Sequence, residues 1–244
     1  MRTALIGAAV AAGMALSAGS AQALVYTVVY TGQIAPGGYD GTGFFGSDPF
    51  VGRTFTLTYK VDTDTAGAAV ALSGLTASKL EGSGAANPVL SAVFKIGSQS
   101  IAFGDTYGYD RRYDNALAGP CPYPCEAGME QFARTTFFDN VAGVITSRSI
   151  GAAASAYGYS YQFSGRDHYD APPSDASHFF GNFSANEYTI ANSVKTQKYD
   201  ISANFKGVSY TVSVAPEPGA WALMILGFGG VGAALRRRSA HSLP

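Results

Sequence analysis

The chain has 244 residues and a formal net charge of −1 at pH 7. Residues 24–215 contain 12 Lys and Arg against 16 Asp and Glu, and Arg111 and Arg112 are their only adjacent basic pair. We expect no nucleic-acid partner, because nucleic-acid binding needs a clustered basic face. Arg111 and Arg112 are predicted to lie solvated in a loop.

The first 23 residues have the pattern of a signal peptide. Arg2 is their only charged residue, and a stretch rich in Ala, Leu and Val follows it. Ala21 and Ala23 place small residues at the −3 and −1 positions of a signal-peptidase site, so we predict cleavage after Ala23. An uncleaved amphipathic or membrane-anchored N-terminus is the alternative. Residues 24–215 then form the working part of the protein, which is long enough for one domain with its own core.

Alternation of apolar and polar residues predicts strands in this region. Residues 55–61 alternate strictly, and the same period of two returns at 199–205 and at 208–214. The Lys-Gly pair between the last two runs predicts a β-hairpin turn. Further strands, rich in Tyr, Phe, Thr and Val, are predicted at 25–34, 89–96, 100–103, 132–139, 157–163 and 179–190.

Helix signals are nearly absent between these segments. Residues 66–79 and 151–156 are rich in Ala, but they are interrupted by Gly or too short for more than a turn or two. Many short strands without strand–helix alternation predict an all-β ectodomain, an antiparallel β-sandwich or a jelly-roll-like fold. The Gly-rich connections 35–51 and 106–129 are predicted to be surface loops, where binding residues usually lie.

The two cysteines, Cys121 and Cys125, lie in the segment Pro-Cys-Pro-Tyr-Pro-Cys at 120–125. One proline precedes the first cysteine, and the other two flank the central tyrosine. Because the signal peptide directs them to an oxidising compartment, we predict a disulfide that closes a surface loop. Metal binding is a weaker alternative, since two thiolates need further ligands and only His168 and His178 precede the tail. A redox role is weaker still, because three residues separate the cysteines where a thioredoxin-type motif has two.

No catalytic motif is present: the sequence lacks a Gly-x-Ser-x-Gly elbow, a His-Glu-x-x-His pair and a phosphate-binding Gly-rich loop. Residues 167–170 with His168 and His178 offer a base or metal ligands, although a polar loop is the favoured alternative. Asp62 and Asp64 are weak candidates for Ca²⁺, and a strand-end turn is favoured there. We predict no catalytic residue, no resident metal and no cofactor.

Tyrosines recur in the predicted loops and strands. They could form a platform on which sugar rings stack, although alternating tyrosines are more often half core and half surface. The tyrosines concerned are Tyr107, Tyr109, Tyr113, Tyr123, Tyr157, Tyr159 and Tyr161.

The C-terminal segment combines a Pro-Glu-Pro box, an apolar run and a basic cluster in that order. Pro216, Glu217 and Pro218 form an extended, exposed peptide, because each proline fixes its own φ and restricts its predecessor. Residues 220–235 carry no charge and would make about 24 Å of helix, slightly short of a hydrocarbon core of about 30 Å. Arginines favour the cytoplasmic side of a membrane, so the cluster leaves the box outside. A buried core helix is the alternative, but the run has no polar stripe.

This tail resembles the PEP-CTERM sorting domain, in the variant with a Trp-Ala pair three residues after the box. The residues that carry the resemblance are Pro216, Glu217, Pro218, Trp221, Ala222, Arg236, Arg237 and Arg238. The resemblance implies a sorting segment at 216–238 with a transmembrane helix at 220–235, a cytoplasmic tail at 239–244, and processing by an exosortase. It also implies an exported precursor anchored in the inner membrane with a periplasmic ectodomain, and a product at the cell surface or in the extracellular matrix.

Two classes of function stay open for residues 24–215. The first is a noncatalytic envelope or matrix protein of a Gram-negative bacterium, which contacts exopolysaccharide in a biofilm. The second is a secreted carbohydrate-active hydrolase or a lectin-like carbohydrate-binding module with the same tail. We favour the first and predict no enzymatic activity. The expected partners are signal peptidase, exosortase and exopolysaccharide.

Overall fold

The computed structural model describes residues 25–73, 77–114, 127–159 and 178–214. These residues form twelve strands and one short 3₁₀-helix at Gly84–Ala86. The strands are β1 (Val25–Ile34), β2 (Tyr39–Asp40), β3 (Thr54–Asp62), β4 (Ala69–Ser73), β5 (Ala77–Ser83), β6 (Val89–Ile96), β7 (Gln99–Phe103), β8 (Tyr107–Asp114), β9 (Ala127–Val141), β10 (Val144–Tyr159), β11 (His178–Ala191) and β12 (Val194–Val214).

All twelve strands belong to one antiparallel sheet. Its order is β4-β5-β8-β9-β10-β11-β12-β1-β3-β6-β7, with β2 added to the side of β12. The all-β, antiparallel prediction is confirmed. The predicted strands 25–34 and 89–96 coincide with β1 and β6, and the other predicted strands fall on observed ones, except that residues 160–163 of the predicted strand 157–163 lie outside the described ranges.

The sheet curls until its two ends approach each other. Gly108 on β8 lies against β6, where a Cβ would be 2.6 Å from Asn87 Oδ1 and 2.8 Å from the Cβ of Val89. The buried Asn87 amide donates to the Gly104 carbonyl, and the Gly104 amide donates to Thr135 Oγ1 on β9 at 2.9 Å. One hydrogen-bonded sheet therefore supplies both walls of the interior.

The core fills the space between these walls. Phe94 on β6 stacks on Phe183 on β11, with ring centroids 4.1 Å apart and planes nearly parallel. Phe55 on β3 lies 4.3 Å from Phe205 on β12, centroid to centroid. Because these strands are distant in sequence, the aromatic contacts tie the two ends of the chain into one core.

The predicted hairpin between 199–205 and 208–214 is wrong, because β12 continues through both runs. Its register with β1 shifts between Thr31 and Gly32, opposite Gly207. This β-bulge moves the alternation by one residue, so Phe205 and Tyr210 both face the core. Gly32 is required at this point, since a Cβ there would lie 2.3 Å from the Lys206 carbonyl oxygen.

The predicted loop at 106–129 is also wrong over most of its described part. It contains β8 and the start of β9, which pair with each other in antiparallel register. Arg112, predicted to be solvated, is completely buried on the inner face of β8. The Ala-rich segments 66–79 and 151–156 contribute to strands: the first carries β4 and the start of β5, and the second lies within β10.

Several predictions concern residues outside the described ranges. These are the signal peptide with Ala21 and Ala23, the pair Cys121 and Cys125, His168, and the whole sorting segment. His178 begins β11, but its side chain also lies outside the description. Among the described residues, no helix is long and apolar enough to span a membrane. The predicted helix at 220–235 lies outside the described ranges.

Candidate ligand-binding surface on strands β5, β8 and β9

The outer face of β5, β8 and β9 carries aromatic and charged side chains in a regular grid. The middle row aligns Glu81, Tyr109 and Phe132, because Tyr109 is the register partner of both other residues. The next row towards the end of β8 contains Lys79, Arg111 and Glu130. The next row towards the start of β8 contains Ser83, Tyr107 and Arg134.

Three rings form the centre of this grid, and we call Tyr107, Tyr109 and Phe132 the aromatic platform. Tyr109 and Phe132 are stacked, with centroids 5.2 Å apart and an angle of 16° between their planes. Tyr107 lies 5.9 Å from Phe132 and 6.3 Å from Tyr109, tilted against both. All three side chains are half-buried, so part of each ring is open to solvent.

Hydrogen bonds to carboxylates hold the two tyrosines in place. The Tyr107 hydroxyl donates to Glu81 Oε2 at 2.5 Å, and the Tyr109 hydroxyl donates to Glu130 Oε1 at 2.6 Å. Lys79 Nζ lies 2.6 Å from Glu81 Oε2 and 4.4 Å from the centre of the Tyr109 ring. Each phenol is thus fixed at its polar end, and a cation covers one of the rings.

The electrostatics keep these groups in one protonation state near neutral pH. Burial, and then the hydrogen bond to Glu130, raise the pKa of Tyr109. Burial and the contact with Glu81 raise the pKa of Tyr107 in the same way. Hydrogen bonds from Lys79 and then Tyr107 lower the pKa of Glu81. The phenols therefore stay protonated donors, and Glu81 stays a charged acceptor.

The inner faces of the same strands carry a buried polar network. Arg112 Nε lies 3.2 Å from Asp110 Oδ2, and both side chains are fully buried. Gln131 Nε2 on β9 donates to Asp110 Oδ1 at 2.7 Å, and the Tyr30 hydroxyl donates to Gln131 Oε1. Arg112 Nη2 donates to the Tyr26 hydroxyl at 3.4 Å. The network joins β8 and β9 to β1 across the interior.

Burial dominates the titration of the interior tyrosines. Burial, and then the Asp110 carboxylate, raise the pKa of Tyr26 well above its ordinary value, and burial with neighbouring Tyr210 does the same for Tyr30. The Tyr59 hydroxyl, also buried, has no hydrogen-bond partner among the described residues. The Arg112–Asp110 pair is completely desolvated, so removing either partner would leave the other charge in the core without this ion pair.

Asp62 and Asp64 lie at the end of β3, beside a cavity of about 490 Å³ that Asp105 also lines. The Asp64 amide donates to Asp62 Oδ1 at 2.9 Å, and Thr65 Oγ1 donates to the Asp62 carbonyl at 3.2 Å. This is the geometry of a strand-end turn. Within the described ranges, no three His, Cys, Asp or Glu side chains come close enough to hold a metal ion.

The structure brings only some of the predicted site residues together. Tyr107 and Tyr109 share the aromatic platform, but Phe132, Glu81 and Glu130 come from other strands and were not associated with them. The signal that could have found them is the outward phase of β9, in which Glu130 and Phe132 alternate with the buried Met129 and Gln131. The other tyrosines named above have side chains outside the described ranges.

Comparison with protein-family models, with curated proteins and with solved structures finds no match for this chain. The aromatic platform is therefore the feature of the chain from which its function is inferred.

Proposed function

We propose that this protein is a noncatalytic envelope or matrix module that binds exopolysaccharide on the aromatic platform. The observation that carries the proposal is a set of three half-buried rings, two of which, Tyr107 and Tyr109, are held at their hydroxyl ends by Glu81 and Glu130. Aromatic rings combine a large apolar surface with defined geometry. Because the rings are already oriented, a sugar that stacks on them does not have to order them first.

The surroundings of the platform suit a long, shallow ligand. On β10, the outer residues beside β9 are Gly151, Ala153 and Ser155, which are opposite Arg134, Phe132 and Glu130. These small side chains form a low strip next to the Phe132 ring. A polysaccharide chain would lie along this strip with one sugar against the platform.

A sandwich-like description fits the proposed module, with one curled sheet providing both layers.

The strand ends suit the proposed export and processing. Tyr26 near the start of β1 pairs with Val214 at the end of β12, so the segments that lead to the signal-peptidase site and to the Pro-Glu-Pro box leave the same end of the sheet. We propose that signal peptidase and exosortase act there, at the inner membrane, before release to the surface or matrix.

The proposed disulfide would lie in the connection between β8 and β9. Asp114 at the end of β8 pairs with Ala127 at the start of β9, and residues 115–126 with both cysteines join them. A short cross-link there would restrain the connection next to the platform strands.

A hydrolase fits the same surface less well. A glycosidase needs a carboxylic acid with a raised pKa that can protonate the leaving group. The pKa of Glu81 is lowered by its contacts with Lys79 and Tyr107, and Glu130 already accepts the Tyr109 proton in a hydrogen bond. Both carboxylates act as supports of the rings.

Glycan binding by the full chain in detergent tests the proposal. We expect retention of defined oligosaccharides from the native matrix by the wild type, and loss of binding in Tyr109→Ala and Phe132→Ala. Tyr188→Ala is the matched control, because Tyr188 lies outside the platform and also carries a lysine, with Lys195 Nζ 4.5 Å from its ring centre. Equal loss in the control variant, or no binding by the wild type, would overturn the proposal.

A further inference from the structure

Four of the five charged residues around the aromatic platform are paired within it. Lys79 lies 2.6 Å from Glu81, and Arg111 lies 3.9 Å from Glu130. Both carboxylates also accept phenol hydrogen bonds, as described above. The positive and negative charges of these two pairs cancel, so they supply rigidity with little net field.

Arg134 is the exception. It is exposed at the edge of the grid, and among the described residues no carboxylate lies within 4.0 Å of it. Its side-chain hydrogen bond goes to a neutral group, from Nη2 to Ser149 Oγ at 3.4 Å. The platform therefore presents one uncompensated positive charge.

The location of Arg134 is set by its neighbours on both sides. It is the register partner of Tyr107 on β8 and of Gly151 on β10. Its side chain lies close to Gly151, where a Cβ would be 3.6 Å from Arg134 Cγ. The glycine leaves room for the arginine stem, and the guanidinium reaches Ser149 on β10, beyond the Gly151 end of the low strip, while the stem starts beside Tyr107 on β8.

We propose that Arg134 is the anionic subsite of the platform and that the ligand is an acidic polysaccharide containing uronic acids. This inference rests on the proposed glycan-binding function and names its substrate class. A planar guanidinium can bind a carboxylate through two parallel hydrogen bonds, which an ammonium cannot do. A uronic-acid unit would place its ring on Tyr107 and Phe132 and its carboxylate against Arg134.

The test compares two ligands that differ only in charge. The full chain in detergent is titrated with a uronic-acid hexasaccharide and with the same hexasaccharide after reduction of its carboxyl groups to alcohols. We expect the wild type to bind the acidic form about tenfold more tightly, the usual size of a charged hydrogen bond in binding. The preference should shrink with added salt.

Variants at one position assign the preference to Arg134. Arg134→Gln should bind both hexasaccharides equally and with the wild-type affinity for the reduced form, while Arg134→Lys should retain part of the preference. Lys195→Gln is the control, because it removes another cation of the outer surface that lies away from the platform. Unchanged thermal unfolding of each variant shows that the fold is kept.

The outcomes separate this inference from the function on which it rests. Equal binding of the two hexasaccharides by the wild type, or a preference that survives in Arg134→Gln, would overturn the acidic subsite and leave the glycan-binding platform intact. Displacement of the acidic hexasaccharide by an equal concentration of inorganic sulfate would also overturn it, since the site would then hold any small anion. Failure of both hexasaccharides to bind would overturn the acidic subsite, and failure of the native-matrix oligosaccharides as well would overturn the glycan-binding platform.

Discussion

Strands β3 and β8 bury opposite kinds of side chain. β3 buries Phe55, Leu57, Tyr59 and Val61 and turns threonine and lysine outward. β8 buries Asp110 and Arg112 beside Gly108 and turns Tyr107 and Tyr109 outward. The buried side chains of β3 are all hydrophobic and belong to the core. β8 instead places an ion pair in the interior and an aromatic surface on its outer face.

The largest effect should come from separating the buried charges of β8. Asp110→Ala leaves Arg112 in the core without its carboxylate, and we expect a loss of about 3–5 kcal/mol in the free energy of unfolding. Denaturant unfolding of the full chain measures it. The double variant Asp110→Leu with Arg112→Met should lose much less, since no charge is then left buried. A double variant that is as unstable as Asp110→Ala would show that the charge itself is not the cause.

The matching change in β3 is Leu57→Ala. It removes a fully buried apolar side chain, and we expect a loss of about 2–5 kcal/mol with no change in the preference for any glycan. Unfolding and glycan titration of the same sample measure both quantities. A Leu57→Ala protein that stays folded but loses glycan selectivity would break the distinction between the two strands.

The close approach of β6 and β8 should tolerate no side chain at Gly108. Gly108→Val places atoms against Asn87 Oδ1 and Val89, and we expect a loss of about 1–3 kcal/mol through overpacking. Thermal unfolding gives the comparison with Ala102→Val, a substitution at an exposed position of β7. Equal stabilities of the two variants would mean that the sheet is not closed at Gly108.

The smallest effect concerns acid pH. The pKa of Glu81 is lowered in the folded protein, and so is that of Glu187, where hydrogen bonds from Arg148 and Lys198 outweigh burial. Their contribution to stability is complete above the ordinary value of 4.5 and is lost as the pH falls through the lowered values. Glu81→Gln should flatten the part of the pH–stability curve below about pH 4.5 that belongs to this residue. An unchanged curve would contradict the pairing with Lys79.

The difference between β3 and β8 also explains what the sequence could predict. The period of two identifies β3 because its apolar residues face inward, and the content of Tyr, Phe, Thr and Val identifies β1 and β6. The period of two does not identify β8, because its buried residues Asp110 and Arg112 are charged and its aromatic residues Tyr107 and Tyr109 face outward. The sequence therefore predicts a loop there. The period of two also fails at Gly207, where the bulge changes the phase of β12 and imitates a turn.

For a related reason, the sequence predicts only part of the candidate site. Tyr107 and Tyr109 were recognisable as a possible sugar platform, since they alternate within one segment. Their partners Phe132, Glu81 and Glu130 depend on the pairing order β5-β8-β9. That order is decided by how the whole sheet curls, which no local pattern encodes.

Footprinting by hydroxyl radicals, read by mass spectrometry, tests the aromatic platform most directly. The full chain is oxidised with and without a saturating acidic oligosaccharide, and modification is compared at Tyr107, Tyr109 and Phe132 and at the reference residues Tyr188 and Phe138. We predict that the ligand protects the first three residues and leaves the two reference residues unchanged. Protection at the reference residues with continued oxidation of the platform would contradict a binding role for the outer face of β8.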